Sequence, residues 1–440
     1  MAGGPLRRGF EICFARGEFL LIVVMGTMAM CSQSHGEDAL PDYELSRIPV
    51  DERPHPEFDP IGYRFGQFMF YPRMSAGVLY NSNVFASSAD PRSDAVARFS
   101  PGLNVQYGKL PTSFSAGTPG FSADFDLGAD LYRYRTYSSE NRTDAHARLK
   151  THWDIANDLK VDGAAEVARK HEERGEASSP RNAAEPVPYL DIRGETTVTK
   201  AFGRFGVAVN GAVRRLSYED VSAVDGSVLD QSSRSGTIVS TFVRPYYEFS
   251  PGYQAFVRAS ANARRYAGEG VLNRDSNGYN VTAGLAFTMT PLISGSVEAG
   301  FLSQSYENPA IVPVSGASFK AQALWLATPL LSVRASAERR VAETVSSDFD
   351  SRLDTNFMVR ADYELLRNLT LFAGATYSHQ KFQGLQSRID KVAKFSLGGR
   401  YALNRTWSLD GRYDFIDRNS SLANYTFDQH VVMFNVTAQH

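Results

Sequence analysis

Cysteine is almost missing from this chain of 440 residues: its two cysteines, Cys13 and Cys31, both lie close to the start. The remainder therefore has no disulfide framework, no thiolate metal site and no cysteine nucleophile. Long apolar runs are lacking too, since no stretch beyond residue 36 approaches the ~18 apolar residues of a transmembrane helix. Charge of one sign is also lacking: 46 basic and 48 acidic side chains give a formal net charge of −2, which argues against a polyanion-binding surface.

The first segment has the composition of an export signal. Arg7, Arg8 and Arg16 precede the apolar run FLLIVVMGTMAM, which is too short to cross a bilayer as a helix. We predict a cleaved signal peptide over residues 1–36. A lipoprotein signal that ends before Cys31 is the alternative.

Residues 37–67 are rich in proline and charge. Four prolines between Pro49 and Pro60 disfavour both a helix and a central strand. We therefore predict an extended, Pro-rich periplasmic leader that precedes the folded part of the chain.

Apolar and polar residues alternate over long stretches of the remaining chain. In the segment 352–365, one parity carries Leu353, Phe357, Val359, Ala361, Tyr363 and Leu365, and the other carries Arg352, Asp354, Asn356, Arg360, Asp362 and Glu364. This period of two is that of a β-strand, because a helix would scatter the same residues around its circumference.

The alternating segments recur in pairs. Tight turns at Pro251, Pro291, Pro329, Arg367 and Asn404 are 37 to 40 residues apart, and a longer polar loop lies within each interval. Each repeat thus contains two long strands, a tight turn at one end and a loop at the other. Propeller blades would need about four short strands per repeat, and most solenoid repeats would need a helix.

The predicted fold is all-β: a transmembrane, antiparallel, up-and-down β-barrel of about 18 strands (16–18) over residues 68–440. The predicted strands are longer than the five or six residues usual in a sandwich, and a dry sandwich could not hold charges along a whole face cheaply. A closed barrel with lipid outside and water inside satisfies every backbone group. The segment 109–120 does not fit as a short turn, and a secreted soluble β-solenoid remains a weaker alternative.

The polar face of such a barrel lines the lumen. The principal predicted lumen residues are Arg258, Arg264, Glu298, Arg334, Glu338, Arg340, Arg352, Asp354, Arg360, Asp362, Arg412 and Asp414. The same parity includes Arg148, Lys150, Lys394, Arg400, Asp124, Asp126, Asp130 and Asp410. Nearly equal numbers of opposite charges suit a hydrated, selective passage. Alternatively, these charges pair across strands or a loop plugs the lumen, which leaves a wall that conducts poorly.

Catalytic and cofactor motifs are not recognisable. His146 and His152 share the lumen face, but six residues along a strand separate them by about 20 Å, so they cannot chelate one metal ion. His171 and His379 are candidates for an outer-membrane enzyme, but neither adjoins a serine in a nucleophile setting. The segment RKHEERGE (169–176) is interpreted as a solvated loop rim rather than a nucleic-acid site. We expect no enzyme activity, cofactor, metal or nucleic-acid partner.

Several longer motifs resemble a known family. They are RPHPEFDPIGYRFGQFMFYPRMSAGVLYNSNVFA, YEFSPGYQAFVRAS, NRDSNGYNVTAGLAF, GFLSQSYENP, YELLRNLTLFAGATY and YALNRTWSLDGRYDF. Over about residues 50–440 the chain is similar to the outer-membrane beta-barrel family known as porin type 2, widespread in alphaproteobacteria. The resemblance implies a porin-like barrel, for some members with a role in exopolysaccharide or capsule export, and supplies no catalytic residues.

The predicted function is passive diffusion of small hydrophilic solutes across the outer membrane of a Gram-negative cell. The alternative is a non-conducting or plugged barrel for exopolysaccharide or capsule export or for surface anchoring. Expected partners are outer-membrane lipid, small hydrophilic solutes or polysaccharide, and the barrel-assembly machinery. The last segment, HVVMFNVTAQH, resembles the C-terminal strand signal that this machinery reads, although it ends on His440 rather than on an aromatic residue.

Overall fold

The structure is a computed structural model that describes residues 48–108, 120–177, 179–342, 349, 351–384 and 387–440. The predicted signal peptide, the first part of the predicted leader and nearly all of the segment 109–120 lie outside these residues.

Within the described residues, eighteen long antiparallel strands form the wall of the barrel, which confirms the predicted fold. They are β1 (Phe68–Asn81), β2 (Asp94–Tyr107), β3 (Gly120–Tyr134), β4 (Arg142–Ala156), β5 (Leu159–His171), β6 (Pro188–Phe202), β7 (Phe205–Tyr218), β8 (Gly236–Ser250), β9 (Tyr253–Tyr266), β10 (Ser276–Thr290), β11 (Ile293–Tyr306), β12 (Val314–Thr328), β13 (Leu331–Ala342), β14 (Ser351–Leu366), β15 (Leu369–Gln383), β16 (Arg388–Ala402), β17 (Trp407–Ser420) and β18 (Phe427–Gln439).

The last strand closes the sheet against the first. The pairing of β18 with β1 runs from Arg73 opposite Gln439 to Asn81 opposite Val431. Closure leaves the wall without a free edge, so its backbone donors and acceptors are satisfied between strands. A short strand, Tyr63–Phe65, folds back on the start of β1.

The two ends of the barrel differ. At one end tight turns join the strands, and the β8–β9 turn contains Gly252, whose φ is +78°. A Cβ at this glycine would lie 2.9 Å from the carbonyl oxygen of Thr288, so the turn requires glycine there. The other end carries the longer loops. In outer-membrane barrels the short turns are periplasmic and the long loops extracellular.

The helices of the described residues are five 3₁₀ segments of three residues, none long and apolar enough to span a membrane. They are Val50–Glu52, Ser138–Glu140, Ser232–Arg234, Gly270–Leu272 and Ala423–Tyr425.

The outer face of the wall is apolar. Val297, Val359 and Phe395 are exposed on it, while the alternate positions carry polar and charged side chains on the inner face. Five large aromatic residues lie exposed within three residues of the tight-turn end of their strands: Trp153, Trp325, Trp407, Phe249 and Tyr401. This placement is that of an interfacial aromatic belt.

Candidate functional site

The closed sheet brings the twelve principal predicted lumen residues to the inner face of β9, β11, β13, β14 and β17. In β14 the exposed neighbours Phe357, Val359 and Tyr363 occupy the opposite parity. Arg334 of β13 lies directly opposite Arg360 of β14, so both strands present the same face. These side chains therefore share the face of the sheet opposite the exposed apolar residues.

Most of these lumen charges form ion pairs within one strand. Arg352 contacts Asp354 at 2.8 Å, Arg360 contacts Asp362 at 2.7 Å, and Arg412 contacts Asp414 at 2.9 Å. Glu338 and Arg340 form a fourth such pair at 3.3 Å. Residues two apart in a strand project from the same face, so the Arg-x-Asp spacing in the sequence is the signal for these pairs.

The remaining predicted lumen residues bind other partners. Arg258 of β9 contacts Glu298 of β11 at 3.2 Å, and Thr282 of β10 donates to the same carboxylate at 2.7 Å. Arg264 donates to the Asn262 side chain. Arg334 contacts Asp51 and Glu52, two acidic residues that precede the first strand of the barrel.

The loop between β5 and β6, described at residues 172–177 and 179–187, projects into the lumen. Arg388 of β16 donates to the carbonyl of Ala177 at 2.8 Å, and Ala177 packs against Phe349 and Phe382. Strands β15 and β16 lie about halfway around the wall from β5 and β6. The loop therefore crosses the lumen and narrows it; we call it the inward loop.

Two charged residues of the inward loop, Glu172 and Arg174, are paired and buried, whereas Glu173, Glu176 and Glu185 are exposed. Arg174 contacts Glu140 at 2.5 Å, and Glu172 binds Arg234. All four side chains are nearly inaccessible to water. The interpretation of 169–176 as a solvated rim is therefore wrong for this part, because each of these charges has an opposite charge that offsets its desolvation cost.

The environment of the inward loop also shifts the pKa of two of its side chains. Partial desolvation raises the pKa of Glu176, whose side chain is still exposed, and the neighbouring Glu172 carboxylate acts in the same direction. Desolvation lowers the pKa of Arg181, whose guanidinium donates to the carbonyl of Ala86 at 2.8 Å and lies over the ring of Tyr425. The loop is thus held by contacts to several parts of the wall.

Residues 48–59 of the predicted leader contact the inner wall at the tight-turn end; we call them the docked leader. Arg53 contacts Glu364 of β14 at 2.6 Å, and both side chains are almost wholly buried. Asp51 and Glu52 contact Arg334 at 2.6 and 2.8 Å. The composition of this segment gave no signal for docking, because these contacts depend on partners about 280 to 310 residues away.

The docked leader extends toward neighbouring turns. The backbone N–H of Val50 donates to Ser332 at 3.2 Å, Glu57 contacts Arg367 at 3.3 Å, and Arg405 donates to the carbonyl of Pro56 at 3.0 Å. The docked leader therefore lies across part of the lumen mouth, from β13 to the β16–β17 turn.

The lumen histidines are each bound by carboxylates. His146 contacts Asp126 at 2.8 Å, His152 contacts Asp162 at 2.6 Å, and His171 contacts Asp144 at 2.8 Å. Within the part of the chain that the structure describes, no group of three or more His, Cys, Asp or Glu residues could hold a metal ion. These histidines are part of the lumen's hydrogen-bond network.

A closed wall of eighteen strands with an apolar outer face and a charged lumen defines a porin-like barrel of the outer membrane. The chain belongs to the family described as "beta-barrel porin 2", whose pattern matches residues 55–440. A comparison with curated proteins finds no match.

Among solved structures, the chain is similar to OccAB2 of Acinetobacter baumannii, with 12% identity over 85% of this chain and 98% of that chain and a TM-score of 0.43. It is also similar to the outer membrane protein OpdK of Pseudomonas aeruginosa, with 11% identity over 84% and 99% of the chains and a TM-score of 0.42. The siderophore receptor PiuA of Acinetobacter baumannii is similar at 10% identity over 86% and 82% of the chains, with a TM-score of 0.43.

Proposed function

We propose that this barrel is a passive channel for small hydrophilic solutes. The observation that carries the proposal is the charged inner face of the barrel, which surrounds cavities along the lumen. One cavity of about 670 Å³ lies among β4–β9, β13 and β14. Another of about 590 Å³ is lined by the inward loop and by residues of β1, β3, β4 and β14–β18. Both are large enough for a small solute.

The size limit of this channel is set by two segments that are not wall strands. The inward loop crosses the lumen, and the docked leader covers part of the mouth at the tight-turn end. A solute has to pass both, so the passage is narrower than an eighteen-stranded cylinder alone would provide.

The chemistry of the lumen is that of permeation. The charged side chains of the inner wall are paired or hydrated. Passive diffusion past them does not require a cofactor, a metal ion, nucleic acid or enzyme activity. Outer-membrane lipid around the apolar face and the barrel-assembly machinery acting on β18 are the partners that this function requires.

The test is conductance of the purified, folded protein in planar lipid bilayers. We expect stepwise current increases, and larger steps when residues 173–186 of the inward loop are replaced by a short Gly-Ser linker. The matched control replaces residues 308–310 of the loop between β11 and β12, whose Pro309 and Ala310 are exposed, and should leave the step size unchanged. Folded, inserted protein without current in both the parent and the shortened form would refute the channel.

A plugged barrel for polysaccharide export or surface anchoring is the second candidate. The inward loop and the docked leader favour it, because both occupy space in the lumen. Deletion of the gene with loss of capsule or exopolysaccharide, together with absent conductance, would identify this function.

A further inference from the structure

The larger lumen cavity lies between distant parts of the wall. Its lining comes from β4 to β9 on one side and from β13 and β14 on the other. Strands β4 and β14 are ten positions apart in the wall of eighteen, so the cavity spans the lumen. Arg264 of β9 donates to the carbonyl of Val341 in β13 at 3.4 Å and links the two sides.

Strand register collects cations at one level of this cavity. Arg148 of β4 lies opposite Glu166 of β5, which lies opposite Arg193 of β6. Arg193 lies opposite Arg214 of β7. The same row continues through Ile238 of β8 to Arg264 of β9. Six adjacent strands thus carry four arginines and a single carboxylate in one hydrogen-bonded row.

Three more cations complete the lining. Lys150 projects from β4 one step along the same face as Arg148, and Arg340 and Arg352 project from the other side of the lumen. The cavity is therefore lined by seven cationic side chains and by two carboxylates, Glu166 and Glu195.

Three further carboxylates pair with these cations but do not themselves line the cavity. They do not cancel the excess of positive charge in the lining. Asp191, which binds Arg193 and Arg214, and Asp354, which binds Arg352, are recessed in the wall and almost wholly buried. Glu338 binds Arg340, whose side chain is still 62% exposed. When all three are counted, seven cations face five carboxylates. Asp124 of β3, directly opposite Lys150, lowers the positive excess to one, whereas Asp126, opposite Arg148, is bound by a further cation, Arg73.

Guanidinium forks that face water are suited to carboxylates and phosphates, which they bind through paired hydrogen bonds. Adjacent strands are about 4.8 Å apart, so Arg214 and Arg264, two strands apart, are spaced by roughly 10 Å. A compact anion with several acidic groups can contact more than one of these arginines at once. The cavity volume of about 670 Å³ lies within the range of small-molecule sites.

We propose that this cavity is a binding site for small organic anions that carry more than one carboxylate or phosphate group, and that the channel prefers anions to cations. This inference rests on the proposed channel function and specifies its substrate class. The recessed acids hold the arginines in place, while the exposed guanidinium groups attract the solute.

The test measures the reversal potential of channels in planar bilayers under a KCl gradient. We expect it to shift toward the chloride potential, and we expect citrate to reduce the current in a concentration-dependent way while glucose does not. The double variant Lys150→Gln, Arg340→Gln should lower the chloride-to-potassium permeability ratio, by roughly twofold for each charge removed, and weaken the block by citrate. These two side chains are chosen because they are open to the lumen.

The matched control is Arg215→Gln. Arg215 is the neighbour of Arg214 in β7 but has the opposite, outward parity, so its loss should change neither the permeability ratio nor the citrate block. A conducting channel that prefers cations, or one that citrate does not block, overturns this inference and leaves the channel function standing. Absence of current from folded protein overturns the channel function itself.

Discussion

At the scale of single residues, the lumen combines buried acids with hydrated bases. Asp191 is fully buried and accepts hydrogen bonds from both Arg193 and Arg214, whose side chains remain partly exposed. The arginine keeps much of its hydration because its long side chain reaches the lumen, whereas the short aspartate stays in the wall. Each buried carboxylate therefore depends on its arginine partners for compensation.

We predict that Asp191→Asn lowers the free energy of unfolding by about 2 kcal/mol, because two arginines lose their shared carboxylate. The value is below that of a fully buried pair, since water screens both guanidinium groups. A urea titration of the protein in lipid vesicles measures it.

Asp225→Asn is the control for this experiment. Asp225 lies in an exposed turn and accepts hydrogen bonds from the backbone N–H and the hydroxyl of Ser227, two residues away, so its change should stay within about 0.5 kcal/mol. Equal effects of the two substitutions would contradict the role assigned to Asp191.

At the scale of elements, the strands could be predicted from the sequence and the inward segments could not. The alternating segment 352–365 lies within β14 (Ser351–Leu366), so the strand predicted from its alternation is confirmed. Local alternation determines such elements because one face meets lipid and the other water. The inward loop and the docked leader have no such periodicity. Their positions follow from Arg388 and Glu364, partners far away in sequence, and no local pattern encodes such contacts.

The docked leader gives a prediction at this scale. Arg53→Ala removes the nearest partner of the buried Glu364 carboxylate and should weaken docking by about 2 kcal/mol, because His55 at 3.4 Å and Arg367 at 3.6 Å still contact that carboxylate. We expect the segment to become sensitive to proteinase K in folded protein, and the single-channel steps to become larger.

Glu57→Ala is the comparison for the leader. Glu57 and its partner Arg367 are both exposed, so the loss of this pair should leave protease resistance and conductance nearly unchanged. A leader that is cut equally fast in parent protein and in Arg53→Ala would show that the buried pair does not hold it.

At the scale of the whole molecule, closure explains why the two faces differ so consistently. In a closed cylinder every strand has one side toward hydrocarbon and one toward the lumen, so a shift of one residue in any strand would place charges in lipid. The register from β1 to β18 is continuous, and the last pair joins β18 to β1. The alternation in each strand is thus a consequence of one shared geometry.

This geometry predicts the reactivity of single cysteines toward a membrane-impermeant maleimide in intact vesicles. Val297→Cys and Phe395→Cys should react at least about tenfold more slowly than Lys150→Cys and Arg340→Cys, because a thiol in lipid neither ionises nor meets the reagent. The native Cys13 and Cys31 lie in the predicted signal peptide, so the mature protein should give a low background.

Asp362→Cys tests whether a residue on the inner face is also accessible to the maleimide. Asp362 faces inward but is buried beneath Arg334 and Arg360, so a cysteine there should react slowly although it lies on the lumen side. Slow reaction at Asp362 with fast reaction at Arg340 would indicate a packed wall around an open, water-filled space. If Val297→Cys reacted as fast as Arg340→Cys, the outer face would not be in lipid, and the barrel geometry itself would be refuted.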